Sequence, residues 1–431
     1  MALRAALLAA LLLAPAAARA ALEPAACPAG LPAGTECFRG RDAQGAFVTA
    51  ARPPGAHGGL VVHSHGGPRL DAPTAATADE DLLRFREFLS EGWSWVQSSR
   101  RRGGFGVAMG GEDTEAARRL YVARFGPPAL TVAHGQSYGA LVTALLLERH
   151  NEPGPDGRRP YDAALLTSGV LAGATRAYDM RMDLRAAFQA ICGTHPGPEE
   201  EPYHLALGLP EEARMTPADL RARLEGCTGG AAPTPAQAAA ARALSAASRV
   251  PERALAGHLN WATFGFRDVA RHVTQGRPAF GNDGVRYADP ALDARIPRFA
   301  ADPEARAALA ADADPTGRTG ALPTLVLHGA GDATAFVEHA AAYAATRAAA
   351  GTGGSLAALF ADEVEHSKMS APLYPAALAL LAEWARGGPR PGHAALAARC
   401  AAMQSRHPGE CRLMPEGWAP QPWEARVNAP R

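Results

Sequence analysis

One serine of this chain follows an apolar segment that ends in a glycine-flanked turn. Residues 130–136 read LTVAHGQ and lead into Ser137, Tyr138 and Gly139, after which a helical run of apolar residues begins. This order is typical of a strand that stops, turns sharply and presents a serine hydroxyl at its tip. Gly135 and Gly139 suit such a turn, because the serine backbone is strained and the strand and helix approach closely. The chain must therefore adopt a fold that contains a strand–turn–helix unit of this kind.

A second motif upstream supplies what an attacking serine needs. Residues 60–68 read LVVHSHGGP, which predicts a buried strand followed by a glycine-rich loop. Attack on a carbonyl carbon builds negative charge on oxygen, and two backbone N–H groups must already point at it. We predict that Tyr138 and Gly67 donate them, with Gly66 as the second candidate in the loop; Pro68 has no N–H. A tight turn without chemical function is the alternative interpretation of the loop.

Two further strand–loop motifs follow near the end of the chain. Residues 323–332 read PTLVLHGAGD, an apolar strand whose loop carries Asp332. A predicted strand at 355–360 precedes His366, which is the histidine that follows the final strand. The acid that would serve His366 stays open at this point, since its loop also contains three other carboxylates: Asp362, Glu363 and Glu365.

Through these four motifs, spread over residues 60–370, the chain resembles the α/β-hydrolase superfamily, in which the order is serine, acid, histidine. The resemblance implies an α/β fold with a mostly parallel central sheet and flanking helices. It also implies Ser137 as the nucleophile, His366 as general base and then acid, and Asp332 as the group that orients the imidazole and stabilises its cation. No cofactor and no metal ion is expected.

The leaving group is not specified by the motifs. We expect a carboxylic ester, cleaved through an acyl-enzyme intermediate, because an ester needs less help with its leaving group than an amide does. A serine peptidase or amidase is the alternative. A non-catalytic binding protein built on the same scaffold is a third and more remote hypothesis. The expected partner is a small-molecule or oligomeric acyl substrate.

The domain organisation is predicted from the alternation of strand-like and helical runs, which lapses between residues 174 and 320. We predict a signal peptide at 1–20, core segments at 21–173 and 321–387, and a helical cap insertion at 174–320. The last segment, 388–431, is predicted to be a disulfide-stapled extension wrapped on the surface. Three aromatic residues of the cap are expected to line a substrate pocket or simply to pack the cap: Trp261, Phe264 and Phe266.

The N-terminus and the cysteines predict export. Residues 1–20 combine Arg4, an apolar run and an Ala-Arg-Ala cleavage site, so we expect cleavage after Ala20 and a secreted or periplasmic protein. Six cysteines fit an oxidising compartment. Sequential pairing is favoured because short loops close at low entropic cost, although other connectivities stay open. The favoured pairs are Cys27–Cys37, Cys192–Cys227 and Cys400–Cys411.

Charge and composition argue against several other classes of function. Lys and Arg number 43, as do Asp and Glu, and no basic stripe or aromatic-studded groove is present, so a nucleic-acid partner is not expected. The sequence has no Gly-rich motif for a nucleotide and no metal-ligand spacing around its cysteines. No segment outside the predicted signal peptide is apolar and long enough to predict a membrane span. The sequence leaves the oligomeric state open.

Overall fold

The computed structural model describes residues 21–429, and the predicted signal peptide with its cleavage site after Ala20 lies outside the described residues. Short apolar runs form the strands, most of which are fully buried. The strands are β1 Glu23–Ala25, β2 Glu36–Arg41, β3 Phe47–Arg52, β4 Gly59–Ser64, β5 Ser94–Ser98, β6 Leu130–Gln136, β7 Ala163–Thr167, β8 Thr324–Gly329 and β9 Leu356–Ala361.

Helices occupy most of the connections between the strands. The helices are α1 Ala75–Arg84, α2 Arg86–Ser90, α3 Val107–Phe125, α4 Tyr138–His150, α5 Ala174–Ile191, α6 Pro217–Thr228, α7 Pro235–Ser248, α8 Leu255–Asn260, α9 Phe266–His272, α10 Pro290–Asp293, α11 Pro303–Ala313, α12 Glu338–Ala349, α13 Leu373–Ala385, α14 His393–Met403 and α15 Trp423–Arg426. A π-helical turn, Trp261–Gly265, joins α8 to α9.

The strands form one sheet in the order β1-β2-β3-β5-β4-β6-β7-β8-β9. The pairs from β1 to β5 are antiparallel, whereas the strands from β5 to β9 pair in parallel. Chain order reverses between β4 and β6, which lie side by side although β5 comes between them in the sequence. In open α/β sheets, a crevice for ligands forms at such a reversal, outside the carboxyl ends of the strands.

Alternating strand residues send side chains to opposite faces of the sheet. Val61 of β4 packs in a cluster with residues of α1, α2 and α13. Its neighbours Leu60 and Val62 join the opposite cluster, built with α3, α4 and α12. Both faces are therefore covered by helices, as a parallel sheet requires. The predicted α/β-hydrolase fold class is confirmed by this layered sheet with its flanking helices.

The chain between β7 and β8 is helical in the described structure and carries α5 to α11. Its apolar residues, such as Leu244 and Phe266, pack in one cluster with Leu141 and Leu145 of α4. This segment therefore packs on α4 through a continuous apolar contact. The division of the chain into core, cap and extension stays a prediction.

Three disulfides link the chain: Cys27–Cys37, Cys192–Cys227 and Cys400–Cys411, the sequential pairing favoured from the sequence. In the C-terminal segment, Trp423 is only 4% exposed and packs in the same apolar cluster as the helices between β7 and β8. Asn428 donates hydrogen bonds to Asp183 and to the Ala247 carbonyl oxygen. Across residues 21–429, no helix combines the length and the apolar character that a membrane crossing requires.

Candidate active site

Ser137 lies at the turn between β6 and α4 with a strained backbone. Its φ of 58° and ψ of −124° fall outside the regions that L-residues normally occupy. The flanking glycines are required by space: a Cβ on Gly139 would lie 2.0 Å from the Ser64 carbonyl oxygen, and one on Gly135 would lie 2.3 Å from the Gly139 carbonyl oxygen. The close approach predicted for this turn is therefore present on both sides of the serine.

Ser137, His366 and Asp332 form one hydrogen-bonded chain. The Ser137 hydroxyl oxygen lies 2.8 Å from His366 Nε2, and His366 Nδ1 lies 2.7 Å from Asp332 Oδ2. With a neutral imidazole protonated on Nδ1, the serine donates to Nε2 and the histidine donates to the carboxylate. The other oxygen of Asp332 accepts the backbone N–H groups of Thr334 and Ala335, which fixes the carboxylate in its loop.

The alternative acids for His366 are engaged elsewhere or face solvent. Glu363 accepts a hydrogen bond from Arg412, and Glu365 accepts one from Lys368. Asp362 is exposed. Of the four carboxylates that the sequence left open, the structure brings Asp332 to the imidazole.

The environment of Asp332 keeps its carboxylate ionised. Burial would by itself raise the pKa, but the neighbouring His328 and His366 imidazoles outweigh it and hold the pKa of Asp332 well below its usual value. Ser367, which has a φ of 59°, places its hydroxyl 3.2 Å from His366 Nε2. A negative charge therefore lies on one side of the imidazole and two hydroxyl groups lie on the other.

The glycine-rich loop after β4 lies beside Ser137. A Cβ on Gly66 would lie 3.5 Å from the Ser137 Cβ, and Gly67 adopts a φ of 64° that favours glycine. Tyr138 is the first residue of α4, where backbone N–H groups have no partner within the helix. Gly66, Gly67 and Tyr138 all line the cavity that contains Ser137.

Arg100, which the sequence analysis did not single out, holds this glycine-rich loop through two hydrogen bonds. The guanidinium donates to the carbonyl oxygens of Gly67 at 2.8 Å and His65 at 2.6 Å. It also lies over the Tyr138 ring, 5.0 Å from the centroid. Arg100 is 3% exposed, and burial lowers its pKa. The basic run at residues 100–102 marks this region, but only the fold shows which arginine turns inward.

The other histidines at strand ends are packed or hydrogen-bonded within the core. His63 and His134 contact each other through their Nδ1 atoms at 2.9 Å, and Asp81 lies 3.3 Å from His63 Nε2. His65 bonds the Gly66 carbonyl oxygen of its own loop, and His328 bonds that of Ala335. None of these four contacts the Ser137 hydroxyl among the described hydrogen bonds. His65 and His328 hold loops near the serine, whereas His63 and His134 pack within the sheet.

A cavity of about 320 Å³ opens above Ser137 and His366. Trp261 lies in its wall, beside Tyr178, whereas Phe264 and Phe266 are buried among the helices between β7 and β8. Of these three aromatic residues, one therefore lines the cavity. Within residues 21–429, no group of three or more His, Cys, Asp or Glu side chains is arranged to hold a metal ion.

The solved structures that align with this chain include an esterase and a lipase. The rice cell wall degrading esterase LipA from Xanthomonas oryzae aligns with a TM-score of 0.41 and 17% identity, over 78% of this chain and 83% of that one. Candida antarctica lipase A in its closed state aligns with a TM-score of 0.41 and 14% identity, over 83% and 78%. TT1662 from Thermus thermophilus aligns with a TM-score of 0.40 and 14% identity, over 85% and 98%. No family model and no curated protein matches the sequence.

Proposed function

We propose that this protein is a serine hydrolase that cleaves a carboxylic ester through an acyl-enzyme intermediate. The observation that carries the proposal is the hydrogen-bonded chain Ser137–His366–Asp332, which ends at a serine hydroxyl in an open cavity. A nucleophile, a base within hydrogen-bond reach and a group that orients the base are the parts that nucleophilic catalysis needs.

The first half of the reaction transfers the acyl group to Ser137. His366 Nε2 takes the hydroxyl proton as the oxygen attacks the ester carbon, and Asp332 stabilises the imidazolium that forms. The carbonyl oxygen becomes an oxyanion that accepts hydrogen bonds from the backbone N–H groups of Tyr138 and Gly67. Collapse breaks the bond to the alkoxide, which leaves as an alcohol with the proton that His366 returns.

The second half releases the acid. A water molecule takes the place of the alcohol, gives its proton to His366 and attacks the acyl-enzyme carbonyl. The same backbone N–H groups stabilise the second oxyanion. Its collapse returns the proton to Ser137 and frees the carboxylic acid, so the enzyme ends in its starting state.

The carboxylates of the described structure favour an ester over a peptide with a free amino terminus. Binding a terminal ammonium needs an unpaired carboxylate in the site. In the cavity, Glu80 is bonded by Arg69 and Asp81 lies against His63. Glu200 of the cap is bonded by His195 and Arg223. Amide cleavage stays the alternative, and substrate profiling separates the two.

Export fits this activity. We infer that residues 1–20 are a signal peptide removed after Ala20 and that the mature protein is secreted or periplasmic. The three disulfides support this, because such bonds form and persist in oxidising compartments. The helical segment at residues 174–320 then acts as a cap that walls the substrate cavity.

The test is hydrolysis of 4-nitrophenyl butyrate by the oxidised mature protein and by its Ser137→Ala variant. We expect turnover by the wild type and a loss of about a thousandfold or more in the variant. Ser90→Ala serves as the matched control, since Ser90 is exposed and bonds only the Arg86 carbonyl of its own helix in the described structure. Equal rates in wild type and Ser137→Ala would overturn the proposal.

A further inference from the structure

A buried arginine lies in the wall of the cavity above Ser137. Arg181 comes from α5, the first helix after β7, and is 6% exposed. It lines the cavity that contains Ser137 and also an adjoining cavity of about 260 Å³, which His366 and Thr334 share. A cation is therefore placed where the substrate of the proposed reaction would lie.

Neighbouring side chains hold the guanidinium of Arg181 in one orientation. It lies 4.6 Å from the ring centroid of Tyr178 and 4.6 Å from that of Trp261. Its Nε donates to His258 Nδ1 at 3.0 Å, and His258 Nε2 in turn donates to the Ala333 carbonyl oxygen at 2.9 Å. Both nitrogens of the His258 imidazole therefore have partners. The imidazole fixes the orientation of Arg181 without neutralising its positive charge.

The guanidinium of Arg181 has polar contacts with His258 and with the Tyr178 hydroxyl, but one of its nitrogens has no partner in the described structure. Arg181 Nη1 is buried and makes no hydrogen bond, and within residues 21–429 no carboxylate lies within 4.0 Å of the guanidinium. Burial lowers the pKa of Arg181 to about 10, which leaves the group protonated at neutral pH. A buried charge without a partner is costly, so a ligand that pairs with it gains more than it would at the surface.

The remaining charges of the cavity do not offset Arg181. The carboxylate of Glu80 is bonded by Arg69, and that of Asp81 lies against His63. Arg84, which also lines the cavity, donates to the Ser367 carbonyl oxygen. Three arginines and two carboxylates line the cavity, so its lining carries one positive charge in excess.

We propose that the substrate is an ester that carries a carboxylate group, which pairs with the Arg181 guanidinium while Ser137 attacks the ester carbonyl. The inference rests on the proposed function and narrows its substrate class. A carboxylate is the usual partner of a guanidinium, and one of its oxygens can accept a hydrogen bond from Arg181 Nη1, which has no other partner in the described structure. The carboxylate belongs either to the acyl part, as in a dicarboxylic acid monoester, or to the alcohol, as in an ester of a hydroxy acid.

The experiment compares charged esters with their neutral carboxamide counterparts. Monoethyl glutarate and ethyl glutaramate test the acyl side, and carboxymethyl butyrate and carbamoylmethyl butyrate test the alcohol side. We expect kcat/KM to be higher by about tenfold or more for the charged member of one pair. Arg181→Gln should abolish that preference, and Arg181→Lys should restore part of it. Arg119→Gln is the matched control: it removes one positive charge from a side chain that is 70% exposed on α3, outside the cavity, and should keep the preference.

Binding to the inactive Ser137→Ala variant provides a readout that does not need turnover. Calorimetry should show that this variant binds the preferred charged ester more tightly than its carboxamide, and that adding Arg181→Gln removes the difference. Ester cleavage without a charge preference in either pair would overturn the inference, as would a preference that survives in Arg181→Gln. Failure to cleave any ester would count against the proposed function, and the calorimetric comparison would still decide whether Arg181 receives a carboxylate.

Discussion

The guanidinium of Arg100 donates a hydrogen bond of 2.8 Å to the carbonyl oxygen of Gly67, in the loop beside Ser137. A second bond, to the His65 carbonyl oxygen, ties the same loop at its other end. These two bonds hold the peptide planes on either side of the plane that contains the Gly67 N–H, before any substrate binds. Arg100 is therefore a positioning residue for the proposed oxyanion donors.

Replacing Arg100 by lysine should lower kcat by about tenfold or more and leave KM nearly unchanged. A single ammonium does not reproduce the fork that reaches both carbonyls, and misplaced oxyanion donors weaken binding of the transition state more than of the ester. Complete loss of one such donor costs about 10²–10³ in rate. Steady-state kinetics on 4-nitrophenyl butyrate measure kcat and KM separately, with Arg119→Lys as the control. A rise in KM with unchanged kcat would contradict this role.

Gly139→Ala should damage both stability and activity. The added methyl carbon would lie 2.0 Å from the Ser64 carbonyl oxygen, so α4 must move away from β4. We expect a loss of about 1–3 kcal/mol in the free energy of unfolding, together with loss of esterase activity. Gly226→Ala is the matched control, because nothing lies within 4 Å of its Cβ position in α6. Urea titration measures the change in stability, and hydrolysis of 4-nitrophenyl butyrate measures the change in activity. A fully active Gly139→Ala variant would refute the steric argument.

Asp332→Asn should reduce kcat by about 10⁴, as expected when the imidazole loses the carboxylate that fixes its tautomer and stabilises its cation. Glu365→Gln should leave kcat unchanged, since Glu365 is exposed and bonds Lys368. The rate of 4-nitrophenyl butyrate hydrolysis measures both. If Glu365→Gln were the slower of the two variants, the acid that serves His366 would lie in the loop after β9 instead of the loop after β8.

The sequence motifs predicted those site residues whose position depends on the neighbouring strand and turn. Ser137, Asp332 and His366 each follow a strand that apolar residues identify, and parallel strands bring such loops to one edge of the sheet. Arg100 and Arg181 escaped prediction because their partners are distant in the sequence: Gly67 for the first, and His258 and Trp261 for the second. Burial of an arginine depends on tertiary packing, which a run of basic residues does not reveal.

Contacts of the C-terminal segment with distant residues are also not predicted by the sequence. The prediction of a disulfide-stapled surface extension did not include the stacking of Trp423 on His339, whose ring centroids are 4.6 Å apart. Arg249 of the cap donates to the carbonyl oxygens of Ala425 and Val427. These contacts join the end of the chain to the helical segment, and nothing in the local composition indicates them.

The stability of the protein should fall on acidification, partly through His258. Burial first, and then the Arg181 charge, lower the pKa of His258 to about 3. A histidine with a depressed folded-state pKa contributes stability above its unfolded value of about 6.5, and this is lost as the pH falls from there towards the folded value.

The matching variant is His258→Asn, whose side-chain oxygen accepts in place of Nδ1 but does not titrate. We expect it to be less stable than the wild type at pH 7 and the gap in the free energy of unfolding to narrow as the pH falls from about 6.5 to about 4. Urea titrations over this range measure the gap. A gap that is constant with pH would show that His258 titrates alike in both states.

The central claim is that Ser137 is the nucleophile, and covalent labelling tests it most directly. The oxidised mature protein is treated with a fluorophosphonate, and the modified residue is located by peptide mass spectrometry. The account predicts one stoichiometric adduct on the peptide that contains Ser137, and none in Ser137→Ala. An unlabelled wild type, or an adduct that forms equally in Ser137→Ala, would contradict it.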